Sequence, residues 1–341
     1  MFELEKIVRP NIQSLKAYSS ARDEFKGEAE VYLDANENPF GTLNRYPDPQ
    51  QKSIKERLSE IKEINTNQIF VGNGSDEVID LAFRIFCEPG KDKALTFSPT
   101  YGMYDVSAGI NNIELIKQPL LADFQINLNQ LQPYLEMDEV KLIFICSPNN
   151  PTGNIINKED IEYILENFNG IVIIDEAYID FSTKESLVAE IKNYPNLIVS
   201  QTFSKAWGLA GARVGIAYAS SKIIDLYNKV KPPYNVSSLN QNAVLVSLNN
   251  QTKFEIEKNI ILIEREKVIT QLSQLSMVKT IYPTEANFVL VEVEKVNKLY
   301  KDLVKKKIIT RNRNSVINDC LRITIGSPEE NQKLINALQE L

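Results

Sequence analysis

Between residues 65 and 220 short β-rich runs alternate with helical stretches, and no other feature constrains the fold as much. The runs are Ile69–Val71, Ala94–Phe97, Ile113–Ile116, Lys141–Cys146, Ile171–Ile174, Leu197–Ser200 and Val214–Tyr218. Several, such as Ile171-Val-Ile-Ile174, are apolar on both faces, as strands of a parallel sheet covered by helices are. Asp76–Cys87, Asn157–Glu166 and Glu185–Lys192 lie between them and are each long enough for a crossover helix. The alternation predicts an α/β fold with a mainly parallel sheet.

After about residue 250 the pattern changes. A long amphipathic helix through Phe254, Ile261, Val268 and Leu275 leads to strands near Asn287–Val293 and Leu321–Ile325. Helices are expected near Val296–Lys306 and Glu329–Leu341, completing a smaller α+β domain. The expected organisation is an N-terminal arm over 1–30, a large domain over 31–249 and a small one over 250–341. A chain of 341 residues is long enough for two such domains. No repeat interrupts it, and no winged-helix or helix-turn-helix segment precedes the α/β region, so a DNA-binding regulator is not expected.

Composition narrows the chemistry. The chain has no histidine, which removes the commonest general base, the Ser-His-Asp and Cys-His systems and every histidine-containing metal site. No metal is expected. A net charge of −7 argues against nonspecific nucleic-acid or anionic-membrane binding. Cys87, Cys146 and Cys320 are odd in number and widely spaced, and neither a signal-like start nor a long apolar stretch is present. The expectation is a soluble cytoplasmic protein.

Ligands of open α/β sheets bind beyond the carboxyl ends of the strands. Four such junctions carry unusual residues. Val71-Gly-Asn-Gly74-Ser75-Asp76-Glu77 runs a strand through glycines into a helix whose free N–H groups suit an anion, although the same residues make an ordinary tight turn with an N-cap. Ser147-Pro-Asn-Asn150-Pro-Thr-Gly153 is a rigid loop displaying asparagines, or simply a turn. Asp175 follows four aliphatics and needs a cationic partner if buried, with Tyr178 three residues on; a helix N-cap is the bland alternative. Thr202-Phe-Ser204-Lys205 follows a strand and is itself followed by Arg213 between glycines, a fork suited to phosphate. A lysine with a pKa lowered by burial readily forms a Schiff base. Together the four junctions describe a ligand with a phosphate, a carbonyl, a basic ring nitrogen and a ring oxygen. Pyridoxal phosphate (PLP) has all four, and it lets a lysine carry protons where histidine is missing.

On these residues the chain resembles the fold-type I PLP-dependent transferases, in the aminotransferase class that contains histidinol-phosphate aminotransferase. Also matching are Leu33-Asp-Ala-Asn-Glu-Asn-Pro39, Arg45-Tyr-Pro-Asp-Pro49, Ser98-Pro-Thr-Tyr101 and Cys320-Leu-Arg-Ile-Thr-Ile-Gly326, in family order over about 30–330. The resemblance implies that Lys205 is the lysine joined to the cofactor and that Asp175 pairs with the pyridine nitrogen. It implies that Asn150 and Tyr178 hold the ring oxygen and that Tyr101 stacks on the ring. Gly74, Ser75, Asp76, Thr202, Ser204 and Arg213 are implied to bind the phosphate. Tyr46 is implied to reach the same phosphate from a second copy, in a homodimer with shared active sites. Arg322 and Arg311 resemble the family's substrate-anion arginines, with Arg313 an alternative to Arg311, and Asn36 and Tyr18 are further substrate candidates. The implied reaction is ping-pong transamination between glutamate/2-oxoglutarate and imidazole-acetol phosphate/histidinol phosphate. Its siblings are aromatic amino-acid aminotransferase and threonine-phosphate decarboxylase.

Overall fold

The computed structural model describes residues 2–18, 25, 27 and 30–341. Seven strands form the larger sheet: β1 (Ile69–Gly72), β2 (Lys93–Ser98), β3 (Glu114–Pro119), β4 (Val140–Cys146), β5 (Ile171–Asp175), β6 (Leu197–Thr202) and β7 (Gly215–Ala219). Their order is β1-β7-β6-β5-β4-β2-β3. The pairings from β3 through β2, β4 and β5 to β6 are parallel, and β7 runs antiparallel to both β6 and β1.

The aliphatic runs explain the layering. Successive side chains of a strand point to opposite faces. Accordingly Val172 and Ile174 enter one core with Ile143, Ile145 and Val199, while Ile171 and Ile173 enter the other with Leu142, Phe144 and Ile198. All four β5 aliphatics are fully buried. Each contributes about 1.5–3 kcal/mol relative to exposure. Helix Ser75–Phe86 covers the second face with Val78, Ile79, Ala82 and Phe83. Helix Lys158–Asn167 covers the first with Ile161, Ile164 and Leu165.

A second sheet is wholly antiparallel, ordered β10-β11-β9-β8. Its strands are β8 (Val278–Ile281), β9 (Phe288–Val293), β10 (Arg311–Asn312) and β11 (Cys320–Thr324). Helices Gln251–Leu272, Val296–Lys305 and Pro328–Gln339 pack Val268, Leu272, Leu299, Leu303, Leu334, Ile335 and Leu338 around Val289, Val291, Leu321 and Ile323. The last helix starts on a capping box between Ser327 and Glu330 with Pro328 in its first turn.

Three differences from the sequence reading have physical reasons. Glu185–Lys192, expected as a crossover helix, holds only a six-residue 3-10 segment, Leu187–Lys192. Buried Glu176 accepts from the Leu187 N–H (2.7 Å) and the Ser186 hydroxyl, and Asn193-Tyr-Pro195 ends the segment before a longer helix can form. Strands β8 and β10 are too short to carry a period. The first residues of the expected arm form two short helices, Leu4–Ile7 and Pro10–Ser14, that dock Val8 and Ile12 into the second core. Arg9 ties them down through its N–H to the Ile85 carbonyl (3.0 Å) and its guanidinium to Glu88 (3.0 Å). Among the described residues no helix is long and apolar enough to cross a membrane. Cys87, Cys146 and Cys320 are buried and unpaired.

Candidate active site

The C-terminal ends of the parallel strands and one face of the smaller sheet enclose a cavity of about 540 Å³. Its phosphate-sized end is built by a close backbone approach. Gly74 takes a positive φ of 83°, and a Cβ there would meet the Arg213 guanidinium at 2.8 Å. Across from it, a Cβ on Gly215 would meet the Ser75 nitrogen at 2.2 Å, so only glycine lets β7 lie against this turn. The helix beginning at Ser75 directs the Ser75 and Asp76 N–H groups toward the cavity end. Glu77 closes the loop instead of facing a ligand: it accepts from the Asn235 amide (2.9 Å), which also bonds the Val71 carbonyl (3.0 Å). Arg213, itself in the left-handed region at φ 50°, reaches Asp76 (3.4 Å) and the Ser204 hydroxyl (3.5 Å). The Thr202 hydroxyl accepts from the Ser204 N–H (3.1 Å).

The opposite end is a buried polar floor. Asp175, at the end of β5, sits beside Cys146 and Ser200 in the sheet register. One carboxylate oxygen accepts from the Tyr104 hydroxyl (2.7 Å), the other from the Ala177 N–H (3.1 Å). Burial pushes its carboxyl above the usual range, and these two donors pull it back. The Asn150 amide donates to the Tyr178 hydroxyl (3.3 Å), while its oxygen accepts from Arg322. Tyr101 lines the wall and donates to Asp76 (3.2 Å).

Lys205 opens onto the cavity from a loop that its neighbours clamp. Phe203 is buried and edge-on to Trp207, which stacks on Phe254 at 3.9 Å. The Phe203 N–H bonds the Val214 carbonyl (3.1 Å), and its own carbonyl accepts from Leu209 (3.0 Å). The lysine Nζ lies 5.5 Å from the Tyr178 ring centroid. Desolvation lowers the amine's pKa, and the positive charge of Arg322 lowers it further.

The smaller sheet closes the cavity with three arginines. Arg311 and Arg322 are direct partners across β10 and β11, and Arg313 follows on the same wall. Arg322 lies over the Phe288 ring at 5.1 Å. Among the described residues none of the three has a carboxylate partner, and the buried Nε atoms of Arg313 and Arg322 have no acceptor. The sequence left Arg311 and Arg313 as alternatives; the structure puts both on the wall.

The cavity therefore brings together Ser75, Asp76, Tyr101, Asn150, Asp175, Tyr178, Thr202, Ser204, Lys205, Arg213, Arg311 and Arg322, with Gly74 against Arg213. It does not bring in three others within this chain. Tyr46 stacks on Tyr234 (4.3 Å) away from the cavity, Asn36 lines a separate depression with it, and Tyr18 is largely exposed. Among the contributors that escaped the sequence reading are wall residues such as Thr100, Met103 and Ala177, and two that act from behind the wall, Phe288 and Tyr104. Phe288 offered no signal beyond a strand apolar residue. Tyr104 lies three residues after Tyr101, but its spacing alone could not show a hydroxyl turned inward.

The donor set suits PLP. Backbone N–H groups, two hydroxyls and a guanidinium ring the glycine cradle, a buried carboxylate lies on the floor, and Asn150 and Tyr178 offer two donors on its far side. Arg322 and Arg313 keep unused donors for a substrate.

Comparison with known proteins agrees. The model for aminotransferase class I and II matches residues 19–338. Histidinol-phosphate aminotransferase of Christiangramia forsetii is 52% identical over all of this chain and 98% of the relative, and that of Flavobacterium psychrophilum is 50% identical over 100% and 99%. The crystal structure of the histidinol-phosphate aminotransferase from Clostridium acetobutylicum superposes with a TM-score of 0.80 at 27% identity, covering 87% of this chain and 90% of that one. The Sinorhizobium meliloti enzyme, solved in complex with pyridoxal-5'-phosphate, shares the fold with a TM-score of 0.80 at 22% identity over 97% and 96%. A cavity built for PLP and relatives of this identity over the full chain give one conclusion: the chain belongs to the histidinol-phosphate aminotransferases, within aminotransferase class I and II.

Proposed function

We propose that the enzyme moves an amino group from glutamate to imidazole-acetol phosphate, forming 2-oxoglutarate and histidinol phosphate, as a step of histidine biosynthesis. Arg311 and Arg322 carry this reading. Like charges directly opposite on paired strands repel, and among the described residues no carboxylate pairs with either. An anionic substrate does. Arg322, nearer the Asn150 end, holds the α-carboxylate of glutamate, and Arg311 with Arg313 holds the phosphate of the alternate substrate.

When bound, PLP supplies an electron sink for the carbanion left by loss of a Cα proton. Asp175 would hold its ring nitrogen, Asn150 and Tyr178 its ring oxygen, and Gly74 through Asp76, Thr202, Ser204 and Arg213 its phosphate. Tyr101 would cover the ring. The amine of Lys205, made less basic by desolvation and Arg322, takes the proton from the substrate Cα and returns it during turnover. Arg322 fixes the substrate carboxylate, which sets which Cα bond faces Lys205.

Parallel half-reactions with histidinol phosphate, phenylalanine and threonine phosphate test the assignment, read as loss of the bound cofactor's absorption. Histidinol phosphate is expected to react fastest. A faster reaction with phenylalanine, or carbon dioxide release from threonine phosphate, would move the enzyme to a sibling activity.

The exposed apolar side chains of Val31, Leu33, Phe40 and Leu43, beside Tyr46, support a homodimer that lends Tyr46 to the neighbouring site. Sedimentation of the holoenzyme checks this, a monomer at micromolar concentration counting against it. The buried unpaired cysteines fit a reducing cytoplasm.

A further inference from the structure

We infer that Tyr104 is a positioning residue: its hydroxyl orients Asp175 and keeps it anionic, and thereby sets how much positive charge the cofactor's ring nitrogen holds. Tyr104 is fully buried and forms no part of the cavity wall, so it touches neither cofactor nor substrate. Its hydroxyl donates to Asp175 Oδ2 at 2.7 Å, while Oδ1 is fixed by the Ala177 N–H. The tyrosine ring is itself held, stacked on Phe144 (5.0 Å, 21°) and edge-on to Tyr101 (5.6 Å, 87°). One side chain thus braces both the wall residue that covers the ring and the carboxylate on the floor.

In a chain without histidine a phenol is the donor available to this carboxylate, and its pKa suits the task. Burial and the Asp175 charge raise it well above the ordinary tyrosine value, so the proton stays on Tyr104. The other titratable groups facing this pair are few. Asp76 comes from helix Ser75–Phe86, Tyr101 precedes helix Met103–Ile110, Cys146 ends β4, Tyr178 follows β5, and Lys205 follows β6. Burial and the neighbouring Asp175 keep the Cys146 thiol protonated, and Lys205 is the cation among them. No other hydroxyl donates to Asp175 among the described residues.

The inference rests on Asp175 facing the ring nitrogen, so the test includes Asp175→Asn. The readout is the pH midpoint of the absorption change of the Lys205-linked cofactor in holoenzyme. In Tyr104→Phe the carboxylate loses a charge-assisted bond and draws the shared proton from the ring nitrogen. The second nitrogen of the conjugated system is then easier to protonate, and the midpoint rises by about half a unit or more. The kcat falls while the KM for glutamate stays near its original value. Tyr227→Phe, which removes an equally buried hydroxyl bonded to the Val78 carbonyl (3.1 Å), leaves the midpoint unchanged. If Tyr104→Phe does not fold, fluorotyrosine at position 104, a stronger donor in the same shape, moves the midpoint down. A shift in Asp175→Asn with none at Tyr104 overturns the inference and leaves the role of Asp175 standing. No shift in either variant overturns both.

Discussion

The two sheets meet the same cavity in opposite conditions. On the larger sheet's side three cavity residues are already engaged: Asp175 has two donors, Asn150 bonds Tyr178 and Arg322, and Thr202 accepts from Ser204. On the smaller sheet Arg311, Arg313 and Arg322 lie within reach of one another's charge, and Arg313 and Arg322 each keep a buried Nε without an acceptor. A floor that must hold one cofactor for the life of the enzyme is finished in advance, which avoids reorganisation at the moment of reaction. In the proposed reaction the wall accepts two different anions in alternation, and its arginines are left for each substrate to complete.

Variants break this comparison in a predictable order. The largest effect is expected on the finished side. Lys205→Ala removes the proposed proton carrier and is expected to lower turnover by about a hundredfold to ten-thousandfold. After borohydride, mass spectrometry of the variant should find no cofactor attached, and turnover at the original rate would end the mechanism. On the unfinished side Arg322→Gln loses a charge-assisted grip on the carboxylate, about 1.5–3 kcal/mol, or roughly ten- to a hundredfold in kcat/KM for glutamate. Cofactor content should not change.

The same substitution reports on the electrostatics linking the two sides. Arg322 disfavours the charged form of Lys205, so its removal raises the lysine pKa. In cofactor-free enzyme the midpoint for acylation of Lys205 is expected to move to higher pH, with slower labelling near neutrality. An unchanged midpoint would leave desolvation as the whole cause. Smallest is Tyr101→Phe, which keeps the ring and loses one hydroxyl bond to Asp76 (3.2 Å). About 0.5–1.5 kcal/mol, a few-fold in cofactor affinity, is expected by equilibrium titration.

Much of the finished side was readable from the chain alone, because strands buried on both faces announce themselves and their carboxyl ends locate the ligand. Asp175 is conspicuous as a charge immediately after an apolar run, and Lys205 as a charge among hydroxyl residues just beyond a strand. The unfinished side was harder. Arg311 lies on a strand of two residues, which has no period to read, and its pairing with Arg322 depends on a register set by the turn through 313–320. Tyr104 was invisible for another reason: a tyrosine on an apolar helix face reads as packing, and only the fold says which polar atom its hydroxyl meets. The crossover expected over 185–192 is cut short at both ends: Glu176, a side chain from elsewhere, fixes its start through the Leu187 N–H, and Asn193-Tyr-Pro195 stops it.

The bond between Arg322 and Asn150 joins residues 172 positions apart. Contacts this distant in sequence form late, since a long loop must close first. During synthesis the floor of the larger sheet can be assembled while β11 is still to be made, but a substrate cannot be gripped until almost the last residue has emerged. A chain cut before β11 is therefore expected to keep every strand of the larger sheet while lacking the Arg322 side chain that closes the cavity.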